Sequence, residues 1–319
     1  MGEAAPLLSI PDAPVPPGSV AFWYAGADGA RLRAARFAPA LAAGAAPRGS
    51  IVLSPGRSEP IEKYVEVITR LTRMGFVVLV HDWRGQGLSH RALRDRLLGH
   101  ARGWAPFLSD FRRLLDGQAD DLPRPWIAIG HSMGGCLTLL ALAEGESRFA
   151  GAFLSAPMLG MQTGAVPRPA ARALSFILTR IGRAGAPVPG PQETVPTPFA
   201  DNILTHDPAR YGRFLAQLAA APDLRLGLPT WGWLDFAFSA TRRLAHGPGT
   251  PRISIPVSVL VAEAEKLVDN AAARSIVARL PRGRIASVPG AYHELFQETD
   301  ARQAQVWAAL EALLAEAGV

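Results

Sequence analysis

One five-residue stretch, Gly130-His131-Ser132-Met133-Gly134, constrains this 319-residue chain more than any other. It follows the apolar run Trp126-Ile127-Ala128-Ile129 and opens a segment, 135–144, that reads as a helix. The pattern G-x-S-x-G therefore stands between a strand and a helix, the context its chemistry requires. A serine on so sharp a turn has a strained backbone, and side chains at the flanking positions, Gly134 among them, would collide with neighbouring elements. The turn lifts the Ser132 hydroxyl clear of the sheet. It also aims the Met133 N–H at the point where an oxyanion would form. Ser132 is the expected nucleophile, with His131 filling the variable position before it.

The surrounding pattern fits that turn. Short apolar, β-branched runs predict strands at 20–24, 31–37, 50–53, 76–80, 126–130, 151–154, 256–262 and 284–288. Helical periodicity marks 61–74, 104–115, 270–280 and 300–317. Alternating strands and helices imply a mostly parallel sheet covered on both faces, an α/β fold. The alternation stops between 157 and 250, where prolines and helical stretches replace buried strands. The expected organisation is a core of 1–158 and 249–319 with a helical cap inserted at 159–248.

Composition narrows the function classes. Hydrophobic residues make up 49% of the chain, enough for one large core. The net charge of +6 is spread over scattered arginines, without the interleaved aromatics and glycines of an RNA-binding face and without zinc-finger spacing. Nucleic acid is therefore not an expected partner. The single cysteine, Cys136, excludes an internal disulfide and reads as a small buried apolar residue. Residues 1–18 lack the basic start and apolar region of a signal peptide, and no apolar run spans a bilayer uninterrupted. The expectation is a soluble, cytoplasmic protein, with one qualification. Leu174, Ile177, Leu178 and Ile181 form an apolar stripe at helical spacing, while Arg172, Arg180 and Arg183 fall on the opposite side. The preferred reading packs the stripe on the core and leaves the arginines solvated. The alternative is an interfacial helix that touches an anionic membrane surface.

A serine hydroxyl needs a base, and the base an orienting acid. On a sheet of this kind they follow in the order nucleophile, acid, base, each just after a strand. His293, after the final strand and the loop Pro289-Gly290-Ala291, is the only one of seven histidines at a late strand end, and is the expected base. The run His293-Glu294-Leu295-Phe296 lacks the second histidine of a zinc motif, so no metal is expected. The acid should follow 257–261, where Glu263, Glu265 and Asp269 compete. Glu265 lies where the loop begins to turn; Asp269 stands where it would cap the helix from Asn270. A second oxyanion donor is expected from Ser54-Pro55-Gly56-Arg57-Ser58-Glu59, where Gly56 permits close approach and lets the Arg57 N–H face the site. The glycine-rich loop 81–87 is not a dinucleotide motif; an Asp82–Arg84 scaffold is expected there.

Together these residues resemble the α/β-hydrolase superfamily, and more closely the monoacylglycerol lipase and lysophospholipase L2 group, over about 50–159 and 253–296. Ser54-Pro55-Gly56-Arg57-Ser58-Glu59 stands where that group carries H-G-x-x-E, with Pro55 for the histidine as in the lysophospholipase branch. Asp82-Trp83-Arg84-Gly85-Gln86-Gly87-Leu88-Ser89 is similar to D-x-R-G-x-G-x-S. Leu154-Ser155-Ala156-Pro157-Met158 is similar to the strand leading into the lid. The resemblance implies an α/β-hydrolase fold and a triad of Ser132, Glu265 and His293, with glutamate where monoacylglycerol lipases have aspartate. It also implies Arg57 and Met133 as amide donors. The expected reaction is acyl transfer from a lipid or small ester to water, with no metal or organic cofactor. Trp231, Trp233, Phe236 and Phe238 either line an acyl pocket or pack the lid.

Overall fold

A computed structural model describes residues 2–42, 44–190 and 197–319; residues 191–196, within the expected cap, lie outside the described residues. Among the described residues, eight strands form one sheet: β1 (Val20–Ala25), β2 (Arg31–Phe37), β3 (Gly49–Ser54), β4 (Phe76–His81), β5 (Trp126–His131), β6 (Phe149–Ser155), β7 (Val257–Ala262) and β8 (Gly283–Val288). Their order is β1-β2-β4-β3-β5-β6-β7-β8. The β1–β2 and β2–β4 pairs are antiparallel and the rest parallel.

The strand sequences explain the layering. β3, β4 and β5 are buried at every residue, as expected where helices cover both faces of a parallel sheet. Edge strand β8 instead alternates in exposure. With a side-chain period of two, Ile51, Leu53, Val78, Val80, Ile127, Ile129 and Phe153 share one core layer. That layer packs on α1 (Val65–Arg73) and α8 (Asp300–Glu316). Val52, Leu79, Ala128, Leu154 and Val259 point the other way, towards α2 (Ala105–Gly117), α3 (Ser132–Ala143) and α7 (Asn270–Val277). The helix expected at 61–74 begins as a 3-10 turn, Ile61–Tyr64, because Pro60 is extended and supplies no cap.

Between β6 and β7 the described residues form helices α4 (Arg168–Leu178), α5 (Pro208–Ala220) and α6 (Trp231–His246), with only isolated bridges of β type. Two expectations change here. The stretch 172–183 is not one helix: α4 ends at Leu178, and a wide turn with Gly182 at φ 82° follows. Nor does most of its apolar stripe pack on the core, Leu178 alone of the four being half-buried. Ala171 and Ser175 are the buried residues of α4, whereas Leu174, Ile177 and Ile181 are 44, 53 and 64% exposed. Small residues let α4 approach its neighbour, and that choice rotates the larger apolar side chains outward. The aromatic set also divides. Phe236 and Phe238 are buried in the main core, Phe236 stacking on Phe107 at 4.9 Å, while Trp231 and Trp233 stay half-buried.

No helix among the described residues is long and apolar enough to cross a membrane.

Candidate active site

Parallel strands put their C-terminal ends on one rim of the sheet, and strain gathers there. Ser58, Ser132 and Ala156 are the non-glycine residues with positive φ among those described, at 66°, 50° and 40°. They follow β3, β5 and β6 in turn. A left-handed backbone costs an L-residue roughly 1–2 kcal/mol, so tight packing must hold each one. The glycines around Ser132 show that packing. A Cβ on Gly134 would lie 2.1 Å from the Ser54 carbonyl oxygen and 2.4 Å from that of Pro55. A Cβ on Gly130 would lie 2.7 Å from the Gly135 Cα, and one on Gly135 would lie 2.9 Å from the Pro157 Cβ. Helix α3 thus rests directly on the 54–59 loop, and the Met158 N–H secures the turn by donating to the Ser132 carbonyl at 2.9 Å.

The structure brings Ser132, His293 and Glu265 into one hydrogen-bonded row. His293 Nε2 lies 2.9 Å from Ser132 Oγ, and His293 Nδ1 lies 2.7 Å from Glu265 Oε2. An ionised carboxylate only accepts, so the ring proton sits on Nδ1 and Nε2 is left to accept from the serine hydroxyl. Burial pushes the Glu265 carboxyl up, but the hydrogen bond and charge of His293, aided by backbone amides, outweigh it and hold the group below its usual value. Those amides come from Lys266, Leu267 and Val268, which donate to Oε1 at 3.0, 2.8 and 3.3 Å.

The other two carboxylates are occupied elsewhere. Asp269 caps α7, accepting from the Ala271 and Ala272 amides at 2.9 and 3.1 Å, and pairs with Arg168 at 2.7 Å. Glu263 accepts from the Gly290 amide at 2.8 Å and so braces the loop that carries His293.

The 54–59 loop lies against this row. A Cβ on Gly56 would fall 2.6 Å from Glu59 Oε2 and 3.0 Å from the His131 ring, so a side chain there would displace both. His131 is buried, donates from Nδ1 to the Ser155 carbonyl at 3.1 Å, and lies ring to ring with His293 at 4.9 Å. Burial pushes its pKa down to about 4, which keeps it neutral near pH 7. The Arg57 guanidinium donates to the Gly227 carbonyl and lies 5.3 Å from the Trp233 ring, both in the β6–β7 insertion.

A buried ionic cluster behind the site escapes sequence reasoning. Lys63 Nζ donates to Glu59 at 2.8 Å and to Glu294, the neighbour of His293. Glu59 also accepts from the Gly56 amide and the Tyr64 hydroxyl, each at 2.6 Å. The signals available were the Glu59–Lys63 spacing of four and the acid directly after His293; both match ordinary surface charge. Asp82 and Arg84 are both structural, but each has its own partners. Asp82 pairs with buried Arg33 at 2.7 Å, while Arg84 turns away to Asp110 at 2.5 Å and Asp28 at 3.0 Å. Cys136 is buried in α3, and its thiol is pushed up to about 12 by that burial.

Comparison with known proteins fits this geometry. The family model described as serine aminopeptidase, S33, matches residues 45–300. Lysophospholipase L2 of Escherichia coli (strain K12) is 33% identical over 261 residues, 79% of this chain and 76% of that protein. A monoacylglycerol lipase of Mycolicibacterium smegmatis is 27% identical over 262 residues, 80% of this chain and 84% of that one. A soluble variant of the Saccharomyces cerevisiae monoglyceride lipase superposes with a TM-score of 0.72 at 17% identity, over 93% of this chain and 96% of the other, a likeness of fold. The match across most of the sequence settles membership: the chain belongs to this α/β-hydrolase family of serine hydrolases, in the group that holds lysophospholipase L2 and monoacylglycerol lipase.

Proposed function

We propose that the protein hydrolyses the ester of a single-chain acyl lipid, a lysophospholipid or a monoacylglycerol, through an acyl-serine intermediate. The observation that carries this reading is the row Ser132–His293–Glu265 at 2.9 and 2.7 Å. His293 Nε2 takes the hydroxyl proton as Ser132 Oγ attacks the ester carbonyl carbon. The imidazolium is stabilised by Glu265, whose carboxylate stays ionised. The tetrahedral oxyanion accepts hydrogen bonds from the Arg57 and Met133 amides, each worth about 2.7–4 kcal/mol in the transition state. His293 then gives its proton to the departing alcohol oxygen. Water, deprotonated by the same imidazole, releases the fatty acid and restores Ser132. This chemistry calls on no metal or organic cofactor.

Lipid rather than small ester is supported by the names of the relatives and by the outward face of α4. Residues 159–248 act as the cap of this reading. On it, Leu174, Ile177 and Ile181 dip into a lipid surface while the exposed Arg172 and Arg183 meet anionic headgroups. The test is fatty-acid release from lysophosphatidylcholine and from a monoacylglycerol, beside nitrophenyl esters from acetyl to palmitoyl. Release from either lipid, with rates rising with acyl length, supports the reading. Turnover confined to short acyl chains would make the protein a carboxylesterase, and no turnover of any ester would make it a binding protein.

A further inference from the structure

The buried side chain of Gln86 lies in the turn after β4 and takes no part in the row above. Its Nε2 donates to the Gly56 carbonyl at 2.7 Å. That carbonyl and the Arg57 N–H belong to one peptide unit. The unit is planar and trans, so the two groups point in opposite directions and fixing one aims the other. We propose that Gln86 is a positioning residue, which aims the Arg57 amide at the oxyanion by anchoring the far end of its peptide plane. The inference rests on the proposed role of that amide.

The loop needs such an anchor because it turns at a glycine. The unit before Gly56 is held at both ends: the Pro55 carbonyl accepts from Trp83 Nε1 at 2.9 Å, and the Gly56 amide donates to Glu59 Oε2 at 2.6 Å. Neither bond restrains rotation about ψ of Gly56, where glycine is least restricted. Gln86 acts on the far side of that bond. It can do so because its own position is set independently. Asp82 accepts from the Leu88 amide at 2.8 Å while paired with Arg33, and the Gln86 amide donates to the Trp83 carbonyl at 3.2 Å. Gly87, at φ 54°, leaves no room for a Cβ, which would lie 2.1 Å from Asp82 Oδ2. The turn is a fixed post, and the amide side chain spans from it to the oxyanion loop. Gln86 Oε1 also receives the Ser58 amide at 3.4 Å, so both ends of the side-chain amide face the loop.

The experiment compares wild type with Gln86→Leu and the equal-sized Gln86→Glu, whose carboxylate faces the Gly56 carbonyl with an acceptor. Three quantities are read: kcat and KM on a soluble nitrophenyl ester, and Ki for a trifluoromethyl ketone, which forms an oxyanionic hemiketal with serine. The expected result is a kcat about 10- to 100-fold lower with KM nearly unchanged, and a Ki raised by the same factor. A fatty alcohol of the same chain length, which has no carbonyl and forms no oxyanion, should inhibit all three proteins equally. If Gln86→Leu does not fold, Gln86→Glu carries the test alone. Unchanged kcat, or a fall in kcat without a matching rise in Ki, overturns the proposal. Failure of the underlying reading is separate: it would show in the wild type, as a trifluoromethyl ketone that binds no more tightly than the fatty alcohol.

Discussion

The rim of the sheet and the outer face of α4 lie in one chain but are built on opposite terms. On the rim the polar groups that carry the proposed chemistry are answered from within. Glu265 gives one oxygen to His293 and the other to three backbone amides, and Lys63 is gripped by Glu59 and Glu294. On α4 and the turn after it, Leu174, Ile177 and Ile181 are exposed, while the buried residues of the helix are Ala171 and Ser175. Isolated exposed aliphatics are ordinary, whereas large contiguous apolar patches are the ones that mark contact surfaces. The contrast separates two problems. The polar groups of the rim find partners within the fold, whereas on the proposed reading the exposed aliphatic side chains at α4 are covered by a lipid surface.

Substitutions in the two regions should therefore fail differently. The largest effect belongs to the rim. Glu265→Gln should lower kcat by about 10⁴-fold, because a neutral amide neither fixes the tautomer nor stabilises the imidazolium. Asp269→Asn, four residues away, should stay within a few-fold of wild type in kcat. Steady-state kinetics on a nitrophenyl ester reads both, and the reverse ranking would move the acid to Asp269.

On the α4 face the effect should be smaller and confined to surfaces. Leu174→Asp, Ile177→Asp and Ile181→Asp combined should weaken binding to anionic vesicles by about 10- to 100-fold, since each side chain contributes at most about 1.5–3 kcal/mol when fully buried. Turnover of a water-soluble ester should be unchanged. Vesicle flotation that does not respond to the triple substitution would detach α4 from any lipid. Replacing Arg172 and Arg183 by glutamate separates the electrostatic part, which should shrink as salt rises.

The smallest effect is on stability. His131 is held neutral by burial, with a pKa of about 4 against an ordinary 6.5. Between those values the unfolded chain binds more protons than the folded one, so stability rises with pH and is lost on acidification. Removing the group in His131→Gln should flatten the curve of urea midpoint against pH from 6.5 down to 5, by at most about 1.4 kcal/mol per pH unit. Parallel curves for the two proteins would show that His131 is not held neutral.

What the sequence made legible follows the same division. Elements buried on both sides announce themselves as apolar runs, so the eight strands were readable to within a residue or two at most ends, and the rhythm of strands gave the parallel sheet. Position at the strand end favoured Glu265 among three carboxylates, because chemistry alone cannot rank them. Spacing from the next helix decides: Asp269 is bound to the first amides of α7, and Glu263 to Gly290. The direction of the α4 stripe was misread. Periodicity says which residues share a face, not which face is covered, and here two small residues took the covered side. The Lys63 cluster was missed for a related reason. Charges seen in sequence read as solvated, and burial of all three partners is a property of tertiary packing.

The central claim is that Ser132 is the reacting atom's residue and that His293 makes it so. The most direct measurement is reaction of the folded protein with a fluorophosphonate, peptide mapping by mass spectrometry, and ester turnover followed on the same samples. The account predicts one adduct, on Ser132, forming in step with the loss of turnover and absent from His293→Ala. A folded wild-type protein that hydrolyses esters while Ser132 stays unmodified, or that keeps its turnover as Ser132→Ala, would contradict it.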